Sequence, residues 1–173
     1  MEGNRQALDR LFSVTYEELR RLASSVRRDD PSATLNPTAL VNEAYVKLAD
    51  SLRVVPVSRL HFKRIAARAM RQVLVEAARR RSALKRGGDL AFVTFDEGVD
   101  AAAHSSEELI LLDGALENLA RMQPRQAQLV ECRFFGGFDM AETAELLEVS
   151  ESTALRDWRA ARAWLAVELS QAK

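Results

Sequence analysis

Apolar residues recur at three- and four-residue steps through most of the chain, a period that predicts helices. Leu8, Leu11, Phe12, Leu19, Leu22, Ala23 and Val26 form the first stripe, and "RRDDPSAT" breaks it. A second helix is predicted from near Asn36, burying Leu40, Val41, Ala44 and Leu48. Asn36 suits an N-cap, and Pro37 suits the first helical position, where no N–H is needed. Pro56, in "DSLRVVPVSR", forbids a helix through that segment. Phe62, Ile65, Ala66, Ala69, Val73 and Ala77 then mark a long helix, which ends at "KRGGD" on a glycine C-cap. Residues 87–108 lose the period. "LAFVTF" could pass for a short strand but has no partner strand elsewhere, so the stretch is read as an interdomain linker.

The period returns with Leu109, Leu112, Leu116 and Leu119. Pro124 opens a further helix through Phe135, which Gly136-Gly137 closes. Asp139 and Glu142, three apart, have the spacing of a capping box and start a short helix. Ser150 caps a last helix with Ala154, Trp158, Ala161 and Leu165 inside. Two helices joined by a short turn make a helix-turn-helix. The predicted fold is all-α, with two small helical domains: residues 1–86, the acidic linker 87–108, and residues 109–173.

Charge changes this picture more than composition does. The 173 residues have a net charge of zero, 47% apolar and 29% charged residues, as in an ordinary globular protein. Residues 1–88, however, hold 18 bases against 9 acids, and residues 89–108 hold 6 acids and no base. Residues 53–86 hold 11 bases and one acid, Glu76. Such asymmetry points to a partner with negative charge. The N-terminal stretch is too polar for a signal peptide and no apolar run reaches membrane-spanning length, so cytoplasm is expected. A single cysteine, Cys132, and two distant histidines, His61 and His104, favour neither a disulfide framework, a metal site nor a catalytic cluster. No cofactor and no enzymatic activity are expected.

Two constellations carry the candidate chemistry. In the last helix, burial of Ala154 and Trp158 leaves Ser152, Arg156 and Arg159 outward, with Thr153 near the start. Short polar groups followed by arginines suit a helix lying in the major groove. In the long basic helix, Arg64, Arg68, Arg71, Arg79, Arg80 and Arg81 can meet phosphates, and Arg68 and Gln72 are long enough to touch bases. The loop before it, "LRVVPVSR", is either a connector or a pocket for an unstacked base.

Together these residues resemble the group IV, or extracytoplasmic-function, bacterial sigma factors, over nearly the whole chain. "ALVNEAYVKL" (39–48) is similar to the family's polymerase-docking helix, "RIAARAMRQVLVEAARRR" (64–81) to its promoter-melting helix, and residues 116–165 to its sigma-4 pattern. The resemblance implies binding to core RNA polymerase, on the β′ clamp helices and the β subunit, and to promoter DNA. It places Leu40, Val41, Asn42 and Glu43 on the clamp. It places Arg64, Arg68, Arg71, Gln72 and Arg79 on the −10 element, and residues 54–59 around a flipped base. It places Ser152, Thr153, Arg156, Arg159 and Arg162 on the −35 element, and Asp96, Glu97 and Asp100 in a segment threaded toward the polymerase active site. A Ser/Thr protein kinase and an anti-sigma factor are further candidate partners; a membrane is not. The alternative is a helix-turn-helix regulator that acts without polymerase.

The chain departs from the family in three places. Glu148 stands where the sigma-4 turn usually has glycine, so a different backbone is expected there. Leu155 and Asp157 replace residues that are often basic. Most informative is the first turn after Asn36: the family's Asp, Ala, Glu, Asp become Asn36, Pro37, Thr38 and Ala39. The missing carboxylates would weaken docking on a basic clamp. Phosphorylation of Thr38, with Thr34 the second candidate, would restore roughly −1.5 to −2 charges at a helix N-terminus that favours anions.

Overall fold

The computed structural model describes residues 2–25, 36–50, 58–84 and 106–172. Among these the chain forms seven helices and no strand: α1 (Glu2–Ser25), α2 (Pro37–Asp50), α3 (Arg59–Leu84), α4 (Ser106–Met122), α5 (Pro124–Gly136), α6 (Met140–Leu146) and α7 (Glu151–Gln171). The all-α fold is the one the apolar period predicts. The "LAFVTF" stretch lies outside the described residues. α4 begins at Ser106, inside the stretch read as linker, where Glu107 and Glu108 suit the positive end of the helix dipole.

Local chemistry explains the helix ends. Asn36 Oδ1 accepts from the Ala39 backbone N–H at 2.7 Å, starting α2. Pro124 opens α5, and Gly137 closes it in the left-handed region at φ 61°, its N–H donating to the Cys132 carbonyl. Asp139 and Glu142 form a reciprocal capping box: Asp139 Oδ1 accepts from the Glu142 N–H at 2.7 Å, and the Asp139 N–H donates to Glu142 Oε2 at 3.1 Å. The Ser150 hydroxyl accepts from the Thr153 N–H, starting α7.

In the turn between α6 and α7, Glu148 takes the left-handed conformation, at φ 54°. A Cβ in this region costs roughly 1–2 kcal/mol, while glycine gives back about 0.5–1 kcal/mol in extra chain entropy. Glu148→Gly is therefore expected to stabilise the chain by up to about 1 kcal/mol. A lower melting temperature for the variant would contradict this.

α3 is the central helix. The predicted stripe buries Phe62, Ala66, Ala69 and Val73, but Ala67, Met70, Leu74, Val75 and Ala78 are buried as well. An apolar surface on both sides demands two partners. α3 packs on α1 and α2 on one side and on α4, α5 and α6 on the other. The two halves of the chain, expected as separate domains, thus share one continuous core among the described residues. Gly136 shows how close the approach is: a Cβ there would lie 2.6 Å from the Phe138 ring and 3.1 Å from the Ala67 Cβ of α3.

Candidate nucleic-acid interface

α7 buries Ala154, Trp158, Ala161 and Leu165 against the C-terminal half, as its period predicts. Ser152, Arg156 and Arg159 are left exposed, and Thr153 half-exposed, its Oγ1 accepting from the Ser150 hydroxyl at 2.9 Å. Arg162 is half-buried, its guanidinium 5.9 Å from the centre of the Trp158 ring, so it leans inward rather than joining the outward row. Asp157, an acid in the helix that would face DNA, is buried and bonded by Arg125 Nε of α5 at 2.6 Å. That hydrogen bond and the Asp157 charge raise the Arg125 pKa above its ordinary value. The carboxylate is neutralised inside the fold and does not confront phosphates.

On α3, Arg68, Gln72 and Arg79 are exposed and fall on one face of the helix, with Arg64 half-exposed beside them. Arg71, at the edge of that face, points elsewhere. Its Nε donates to Asp113 Oδ1 of α4 and one terminal nitrogen donates to Glu131 Oε2 of α5, both at 2.8 Å. Burial lowers the Arg71 pKa, but the bond to Glu131 and the charge of Asp113 more than offset this, so the net shift is upward.

On α2, Leu40 and Val41 are both 0% exposed, which corrects their expected place on the polymerase: they are core residues, turned inward by the same period that forms the helix. The outward residues near the start of α2 are Thr38, Asn42 and Glu43, and the first turn holds no acid. Thr34, Asp96, Glu97, Asp100 and residues 54–57 lie outside the described residues.

Sequence reasoning passed over Asp113 and Glu131 as site residues. A signal existed: Asp113 follows Leu112 and sits one turn from Leu109 and Leu116, at the margin of an apolar stripe. Among the described residues no three His, Cys, Asp or Glu side chains come together as a metal site would require, and no helix is long and apolar enough to cross a membrane. Burial pushes the Cys132 thiol up to about 12, so it offers no thiolate nucleophile at neutral pH.

A helical chain with a capped helix-turn-helix, an outward arginine row on α7 and a second basic face on α3 is a DNA-binding transcription factor by class. The chain matches the family model described as ECF sigma factor over residues 1–171, and it belongs to that family. No curated protein and no solved structure matches it. As a member it is an alternative sigma factor, with core RNA polymerase and promoter DNA as partners, directing transcription from specific promoters. The reading as a regulator independent of polymerase gives way to this one.

Proposed function

We propose that α3 engages the −10 element and helps open it through Arg64, Arg68, Gln72 and Arg79. α7 reads the −35 element through Ser152, Thr153, Arg156 and Arg159, and the start of α2 docks on polymerase through Thr38, Asn42 and Glu43. The observation that supports the reading most is the shared exposed face of Arg68, Gln72 and Arg79 on a helix whose apolar sides are buried. Cations there meet phosphates, and the longer side chains reach bases.

We further propose that docking is switched by phosphorylation of Thr38. Thr38 is exposed, in the first turn of α2, beside backbone N–H groups and with no carboxylate in that turn. An added phosphate would supply charge where the helix dipole favours it. The test is core binding and run-off transcription with core polymerase. Thr38→Glu is expected to bind core about fivefold more tightly than wild type, from about 1 kcal/mol of charge interaction. Thr38→Ala is expected to match the unphosphorylated wild type and to be indifferent to kinase treatment. Equal core binding by wild type, Thr38→Ala and Thr38→Glu would remove the switch.

A further inference from the structure

In the exposed row Glu151, Ser152, Leu155, Arg156 and Arg159 of α7, one large side chain is apolar. Leu155 is 37% exposed and belongs neither to the core nor to the residues packed against it. Helix geometry places Ser152 one turn before it and Arg159 one turn beyond, with Arg156 beside it. Glu151 occupies the first position of the helix, where the dipole favours an acid. The fold does not ask for a leucine at 155. Ala154, Trp158, Ala161 and Leu165 already hold α7 to the core. Helix propensity does not ask for it either, since Lys, Arg and Gln suit an exposed position about as well and keep their water. The other large apolar side chains exposed among the described residues are Val14, Val46, Met122 and Val167. They lie on other helices or in the last turns of α7, away from this row.

We infer that Leu155 selects a thymine in the −35 element by packing on its C5 methyl group. The inference rests on the proposed reading of that element by α7. Base edges in the major groove present donors and acceptors, and thymine alone adds a methyl group. A leucine held against an amino, carbonyl or ring-nitrogen group strips its water and offers no bond in return, which is costly. Held against the methyl, it removes apolar surface from water on both partners. Position and reach agree. Leu155 lies in the second turn of α7, within the N-terminal part that a reading helix turns toward base edges. Its side chain is short beside an arginine, so it meets only a base that the helix approaches closely. Ser152, one turn before, is small enough to allow that approach. Arg156 and Arg159 flank the leucine with charges suited to guanine edges and phosphates. An apolar protein surface would leave those cations without a partner, whereas a duplex satisfies the whole row.

The experiment uses holoenzyme assembled from core polymerase and the full-length chain, with duplex promoters randomised across the −35 region. Bound sequences are selected with wild type, Leu155→Ala, Leu155→Met and Arg156→Ala. Leu155 is exposed, so both of its variants keep the fold. Wild type is expected to enrich thymine at one position that Leu155→Ala no longer prefers, with the other positions unchanged. Leu155→Met, still apolar, should retain the preference. Each thymine of the wild-type −35 sequence is then replaced in turn by deoxyuridine, which lacks only the methyl group. At that one position wild-type affinity should fall about fourfold, the factor for one buried methyl-sized group. Leu155→Ala should bind the two DNAs equally. Equal wild-type affinity for thymine and deoxyuridine at every position would overturn the inference. So would a Leu155→Ala selection identical to that of wild type, or one altered only at a base other than thymine. Arg156→Ala tells this failure from failure of the reading beneath it. If it changes the selected sequences while Leu155→Ala does not, α7 reads the element without Leu155. If neither changes them, α7 is not the reading helix.

Discussion

Trp158→Ala is expected to lower the unfolding free energy by about 3–5 kcal/mol, the usual cost of deleting a large buried aromatic. Trp158 is 7% exposed and lies between α5 and α7, where it anchors the helix that would read DNA. Its ring also serves a charge. The Arg133 guanidinium of α5 stands 4.7 Å from the ring centre, and Arg133 is itself buried. Burial lowers the Arg133 pKa, the expected mark of a cation held out of water. The face of an indole offsets part of that penalty, by about 2 kcal/mol where the contact is desolvated. Removing it leaves a cavity and a buried cation beside each other, so the two losses compound. Trp158→Phe keeps a π face and should cost about half as much. Urea denaturation of the three proteins decides it. A Trp158→Ala stability within about 1 kcal/mol of wild type would show that neither packing nor the cation contact matters there.

What the sequence made legible was local. The Asp139–Glu142 capping box, the Ser150 cap, Pro124 and Gly137 all act within one turn of themselves, so four or five residues suffice to read them. The inner face of α7 was equally legible, because the period sorts its residues without knowledge of any partner. The outer rows of α7 and α3 follow as the complements of those faces. The same sorting puts Leu40 and Val41 in the core: a family alignment assigns a helix to a partner, but the period assigns its apolar side to the interior.

What was not legible is what α3 packs on. Arg71 meets acids 42 and 60 positions away, and no spacing rule links residues that far apart. Asp113 and Glu131 look in sequence like solvated acids on helices, and a stretch without period between residues 87 and 108 favoured independent halves. The contrary signal was the composition of α3 itself. Ala67, Leu74 and Ala78 add a second apolar side to a helix that a single small domain would have needed to bury only once. Likewise Asp157 counted as a lost base on the reading helix, although its physical role is to bind Arg125 and fix α7 on α5.

Loss of Arg156 and Arg159 should leave the fold alone and strip promoter binding. Both are exposed, and neither forms an ion pair among the described residues, so the stability cost of either alanine variant is expected to stay within about 0.5 kcal/mol. Their effects on DNA should differ, because reading helices contact bases with their N-terminal residues and the backbone further along. Arg156 lies in the second turn of α7 and Arg159 one turn beyond. Arg156→Ala should therefore cost about 1–3 kcal/mol on the preferred −35 sequence and less on others, relaxing specificity. Arg159→Ala should weaken all sequences about equally and reduce the salt dependence of binding by about one unit of slope, as loss of one phosphate contact requires. The measurement is the affinity of holoenzyme for a set of promoter variants over a salt series. Asp157 sits between them in sequence and is already neutralised by Arg125, so Arg125→Ala provides a contrast. It frees a carboxylate beside the DNA, and should weaken binding and stability together. If Arg156→Ala and Arg159→Ala both bind every promoter as wild type does, α7 is not the reading helix, whatever its cap and period suggest.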